Sequence, residues 1–346
     1  ARQIAEALRV ELATLAHRGT ASPEAIEYYM RGRAKTRGFG KAQQAAVALF
    51  ERSLQLAEEF KPAIAAHAFA TLRGWFFAEQ HGDRDWGARV EATLARARRD
   101  APELAETQIA LGVYSLQLGD YPRAVIALRR ALEIAPTCAL AHQYLGLIEV
   151  EAGRFAEGRE RLKLAVELDP TLITASFELA RSAALIGDQE RYERLVRRIV
   201  RIAGYRDTGA AVLEMRVASW SGDLALARAA YQHIGADPSP EDTAAQVYAR
   251  AILEAPAEEV LDEMLRRRQQ IPNLRFRSLS AQLIAEQLAL RGQPRRALEL
   301  VREATGEVLV DIEWLERCPA LTEVRREPGY AEVREALRKR ARAVWS

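Results

Sequence analysis

Few residues in this sequence combine the type and the spacing that chemistry needs. The five histidines, His17, His67, His81, His142 and His233, stand far apart, and none belongs to an H-E-x-x-H or comparable pair that would hold a metal. Cys138 and Cys318 lie 180 residues apart with no C-x-x-C pair, so they read as two isolated thiols and not as a disulfide framework or a zinc site. No G-x-x-x-x-G-K-S/T stretch offers backbone N–H groups to a phosphate, and no G-x-S-x-G turn presents a nucleophile. Carboxylates are abundant, but Glu on a helical segment ordinarily serves solvation and i,i+4 pairing. The sequence therefore predicts no catalytic residue, no metal ligand and no cofactor: the chain does not read as an enzyme.

What remains is recognition. Two basic runs, Arg194 to Arg206 and Arg334 to Arg342, keep their apolar residues at helical spacing with the arginines opposite, which describes a solvated helix face. Trp75, Phe76 and Phe77 with Trp86 form an aromatic cluster, read first as packing around an enlarged linker and second as a binding surface at Trp75 and Trp86. The 50 basic and 48 acidic residues leave a net charge of +2, too even for a dedicated nucleic-acid surface. No stretch approaches the roughly 18 consecutive apolar residues of a membrane span. The expected setting is cytoplasmic.

The elements that position these residues follow from a repeat. Pro102, Pro136 and Pro170 recur at intervals of 34, as do Gly119, Gly153 and Gly187, and Leu111, Leu145 and Leu179. Within 105–118, Ile109, Leu111, Val113 and Leu116 follow helical spacing. Gly119 then breaks the chain, and a second helix runs from Arg123 until Pro136, which has no N–H to donate, stops it. Gly112, Gly146 and Ala180 keep a small residue where the paired helices must approach closely. One such pair cannot bury its apolar face alone, so neighbours must stack.

Leu111-Gly112 with Ala124, Leu128, Ala131 and Pro136 resembles the tetratricopeptide (TPR) pattern L-G … A-x3-F-x2-A-x4-P, and Leu145-Gly146, Gly158, Leu162, Ala165 and Pro170 repeat it. Further copies stand at Ala46 and Phe50, Val90 to Pro102, Gly222 to Tyr231 and Gly292 to Ala304, while 241–270 fits a helical pair of uncertain register broken at Ala255-Pro256. The resemblance implies an all-α, right-handed superhelical solenoid of stacked antiparallel helix pairs. The array would cover 21–310, with its best repeats at 105–138, 139–172 and 173–206. Residues 1–20 would be the tail of an upstream domain or a linker, and 311–346 would form capping helices.

Ile4-Ala5-Glu6-Ala7-Leu8, then Pro23-Glu24-Ala25, Tyr29, Arg31, Gly32 and Arg33, are similar to the entry into TPR arrays of bacterial signalling proteins, where a TolB-like segment follows a kinase or cyclase domain. Trp314-Leu315, Cys318-Pro319 and Leu321 resemble part of the closing segment of the same arrays. The start at Ala1, inside a helical pattern, reads as a cut within a longer protein. The implied parent is a serine/threonine kinase of myxobacterial type, or a relative, of which this chain is the regulatory or docking region; the kinase motifs themselves are absent from it.

By the same resemblance, first-helix residues Ile109, Val113, Gln143, Leu147, Phe177, Arg181, Val212 and Arg216 face a concave groove. A protein or peptide partner, acidic or phosphorylated, would lie there with Arg181 and Arg216 on its charges; the alternative pairs these arginines with Glu178 and Glu214. The Lys–Asn clamp for C-terminal carboxylates is replaced by Ile109 and Val113, which argues against chaperone-tail binding. The competing function is self-association or bracing, without an external ligand.

Overall fold

A computed structural model describes residues 21–36, 41–76, 86–203, 208–234, 243–254 and 258–346. The helix expected over 2–16, the 1–20 segment, and His17, His81 and the Ala255-Pro256 break lie outside the described residues.

The described residues are helical throughout, with no strand among them. Two-helix units follow one another as α1 (Pro23–Lys35) and α2 (Lys41–Leu56), α3 (Lys61–Phe76) and α4 (Trp86–Asp100), α5 (Ala105–Gln117) and α6 (Tyr121–Ile134), α7 (Ala139–Glu151) and α8 (Phe155–Leu168). They continue as α9 (Ile173–Leu185) and α10 (Gln189–Ala203), α11 (Thr208–Ser221) and α12 (Leu224–Gln232), α13 (Ala244–Leu253) and α14 (Glu258–Gln270), α15 (Leu274–Leu290) and α16 (Pro294–Glu307). A short α17 (Ile312–Arg317), two 3-10 turns (Pro319–Leu321 and Val324–Arg326) and α18 (Tyr330–Ala343) close the chain. The 34-residue period is carried directly into the helices, since α5, α7 and α9 start at 105, 139 and 173.

Five of the turns inside units share one construction. Gly119, Gly153, Gly187, Gly222 and Gly292 adopt φ between 73° and 87°, the left-handed conformation that closes a helix. The next residue then donates its N–H five positions back, as Asp120 does to Ser115 O (2.8 Å), Asp188 to Ala183 O (2.9 Å) and Asp223 to Ala218 O (3.0 Å). Those Asp side chains also cap the following helix, accepting from Arg123 N, Arg191 N and Leu226 N at 3.2, 3.1 and 2.9 Å. One Gly-Asp dipeptide thus ends one helix and starts the next. At the entry, Ser22 caps α1 by accepting from Ala25 N at 3.2 Å, with Pro23 in the first turn.

The small residues set the helix spacing. A Cβ at Gly146 would stand 3.0 Å from both the Gly158 carbonyl and Leu162 Cγ, and one at Gly112 would stand 2.9 Å from Leu128 Cγ. Ala180, at the equivalent place, is fully buried.

The chain forms two compact units. The first holds 1–116, 120–148 and 158–176, and the second holds 117–119, 149–157 and 177–346. In the first, Tyr29 sets its ring edge-on to Phe60 at 5.3 Å, Ser53 donates to Ala25 O at 2.7 Å, and Phe50 packs on Gly32. Ala25, Tyr29 and Gly32 of the Pro-Glu-Ala … Tyr … Arg-Gly-Arg motif therefore form the packed face of the opening repeat, while Pro23, Glu24 and Arg31 stay exposed. In the second unit the C-terminal segment passes the repeat turns in order. Val308 covers Gly119, Ile312 lies against Gly153, and Arg154 stacks 3.9 Å above the Trp345 ring.

Gly146→Leu is expected to destabilise the protein by about 1–3 kcal/mol, because its Cβ meets a backbone carbonyl that cannot swing aside. Gly187→Ala, whose Cβ has nothing within 4 Å but whose φ is +76°, should lose only about 1–2 kcal/mol to left-handed strain. Paired urea titrations check both.

Candidate functional site

The inner helices were expected to wall an open groove. Instead α3 and α7 are buried on nearly every face; in α7 only Leu140 keeps intermediate exposure. Of the eight groove residues, Ile109, Val113, Gln143, Leu147, Arg181 and Arg216 are buried, and only Phe177 and Val212 retain partial exposure. The burial corrects the expectation of an open wall at those six positions: helices apolar all round must be enclosed. Gln143 is satisfied internally, accepting from the Thr174 hydroxyl.

The arginines show what fills the inner surface of the second unit. Arg216 on α11 directs its guanidinium at Glu286 on α15, with Nε 3.1 and 3.0 Å from the two carboxylate oxygens and Nη2 2.5 Å from Oε1. The same carboxylate accepts from two indoles, Trp220 Nε1 at 2.9 Å and Trp314 Nε1 at 2.6 Å. Glu286 and Trp314 are wholly inaccessible to solvent. A carboxylate so placed is tolerated because strong donors meet both of its oxygens.

Arg181 on α9 donates to Asp311, the N-cap of α17, at 2.8 Å and to Glu178 at 3.2 Å. Ser182 beside it donates to Glu313 at 2.9 Å. The acidic groups on Arg181 and Arg216 thus belong to this chain. The pairing with Glu178 occurs, whereas Arg216 takes Glu286 in place of Glu214, whose carboxyl pKa is raised by burial, with His233 opposing that shift.

The aromatic surface is likewise corrected. Trp86 is 4% exposed and Trp75 7%. Trp86 lies on the backbone of Gly74, where a Cβ would come within 2.5 Å of the indole, and Trp75 tilts over Tyr114 at 6.4 Å. These rings fill the crossing of α3, α4 and α5 and offer no docking face. The basic runs are occupied too: Arg194 and Arg197 pair with Glu190 and Glu193, Arg334 and Arg338 share Glu316, and Arg340 caps the end of α16 through Thr305 O.

Sequence reasoning passed over Glu286 and Asp311, and read Trp314 only as part of the closing segment. Their signal was present: an acid inside an apolar run, as in Leu283-Ile-Ala-Glu286 and Leu309-Val-Asp311-Ile, is out of place unless a buried base meets it.

Cys138 and Cys318 are both buried thiols, and burial, reinforced by the Glu286 charge, pushes the Cys318 thiol well above its ordinary range. Among the described residues no group of His, Cys, Asp and Glu is arranged to hold a metal ion, and no helix is long and apolar enough to cross a membrane.

No family model matches the chain, and no curated protein matches it. Among solved structures it is similar to a monomeric mutant of IFIT1 with Gppp-AAAA, at TM-score 0.50 and 16% identity over 92% of this chain and 71% of that one. Yeast Tom70 aligns at TM-score 0.45 and 16% identity over 90% and 67%, and the P58(IPK) TPR domain at 0.29 and 14% over 98% and 91%. The likeness, with the 34-residue units above, is one of fold: a TPR-like helical repeat.

Glu286→Leu should cost about 3–5 kcal/mol, since it strands the Arg216 charge and two indole N–H groups in the interior. Arg216→Met combined with Glu286→Leu should recover much of that loss. A double-mutant cycle by urea unfolding measures the coupling, and additive losses would show that the pair is not the organising contact.

Proposed function

We propose that this chain is a protein-interaction scaffold, the regulatory or substrate-docking region of a bacterial serine/threonine kinase or similar signalling protein, and that it works in the cytoplasm. The observation that supports the reading is the division of labour between helices. The inner helices are consumed by packing, while the outer ones leave recognition surface. On α6, Ala124, Val125, Leu128 and Ala131 face inward, and Ile126 stands 67% and Ile134 39% exposed among Arg123, Arg129 and Arg130. Isolated apolar side chains on a charged helix make sense as anchors for a partner. The half-buried Phe177 and Val212 are the part of the inner set where a peptide would still find surface. An acidic or phosphorylated peptide remains chemically suited to the outer arginines.

A second reading, self-association or bracing without an external ligand, is favoured by a separate observation: Arg181 and Arg216 already hold acids of their own chain.

Ile126→Asp with Ile134→Asp separates the two. Both residues are exposed, so the variant should melt within about 0.5 kcal/mol of the parent. It should weaken capture of a kinase-domain or substrate partner more than tenfold in a pull-down quantified by titration. Undiminished capture would reject the outer face of α6. A concentration-dependent mass of the parent, lost in the variant, would decide for self-association.

A further inference from the structure

The junction of α9, α15 and α17 collects more buried acid than base. Arg181 reaches Asp311 at 2.8 Å, Glu178 at 3.2 Å and Glu151 at 4.0 Å. Arg275, at the start of α15, forks onto Glu151 at 2.7 and 2.9 Å. Two guanidiniums therefore serve three carboxylates, and Glu313 is one residue removed at Ser182. The side chains of Arg181, Glu151 and Asp311 are all less than a tenth exposed and that of Glu178 is a fifth exposed, so water does little to separate the charges around Arg181.

Carboxylates crowded this closely in a low-dielectric interior do not all ionise together. Asp311 and Glu151 hold the short charge-assisted contacts. Glu178 holds the longer one, and it is faced by Arg181 on its own helix, by Glu151 from α7 and by Arg275 from α15. Through Arg181 it is also coupled to Asp311 and Glu313 of the C-terminal segment.

We propose that this junction is a proton-held clamp: a proton on Glu178 leaves Arg181 to Asp311 and seats the α17 segment on α9, and loss of that proton loosens the segment. Ionised Glu178 would compete with Asp311 for the same guanidinium and repel Glu151. Burial raises the Glu178 carboxyl above its ordinary value of 4.5, while Arg181 opposes and Glu151 adds to the shift. The seated state thus binds more protons than the opened one, its stability is complete below the ordinary value, and it falls as pH rises to the raised value and levels beyond it.

Amide hydrogen exchange of the full chain at 309–317, corrected for intrinsic rates and compared with α7 amides, tests the clamp between pH 5 and 9. The population opened at 309–317 should rise with pH, by at most about tenfold per unit for one proton, and then level off. In Glu178→Gln it should stay flat at the parent's acid-side level. A flat parent profile, or the same slope in Glu178→Gln, overturns the proposal. Should that variant not fold, the carboxyl carbon of Glu178 followed by NMR in the parent decides: a midpoint above the ordinary glutamate range supports the clamp, and one within that range overturns it.

Discussion

The second unit depends on one buried carboxylate. Glu286 lies on a helix that is apolar around it, and it would be intolerable there alone. Arg216 from α11, Trp220 from the same helix and Trp314 from α17 all aim donors at it, so three segments distant in sequence are fixed relative to one another. A hydrophobic contact would tolerate sliding, but five directed hydrogen bonds on two oxygens do not. The pairing thus specifies how α11, α15 and α17 meet, whatever its net contribution to stability.

Arg181 repeats the arrangement one repeat earlier, with Asp311 in place of Glu286. Asp311 also caps α17, accepting from Trp314 N at 3.0 Å. The residue that starts the last repeat-facing helix is therefore the one that anchors it to α9. Arg268, sunk between Glu303 and Glu307 of α16 at 2.8 and 2.6 Å, does the same for α14. In an array whose first helices are too apolar to register against one another, these arginine–carboxylate contacts supply the directional information. Arg181, Arg216 and Arg268 are thereby engaged within the chain itself.

Much of the fold was legible because its causes are local. A positive-φ glycine at each turn, a small residue at each close crossing and a proline after α4, α6 and α8 act within a few residues, and their 34-residue recurrence gave helix boundaries and register over 105–203. The stretch 241–270, which lacks the glycine turn, could be read as a helical pair but not registered, and α13 and α14 occupy it.

The candidate site was less legible, for a physical reason. Sequence determined which residues lie on the inner side of α5, α7, α9 and α11, because that side follows from helical period alone. Whether the inner side stays open depends on partners 60 to 130 residues away, as with Arg216 and Glu286 or Arg181 and Asp311. Nothing in a repeat period encodes such separations. The sequence by itself thus determined the helix pairs, their turns and their close crossings. Only the tertiary structure decided that the chain's own acids neutralise its inner arginines, since burying a guanidinium requires whichever carboxylate the fold brings to it.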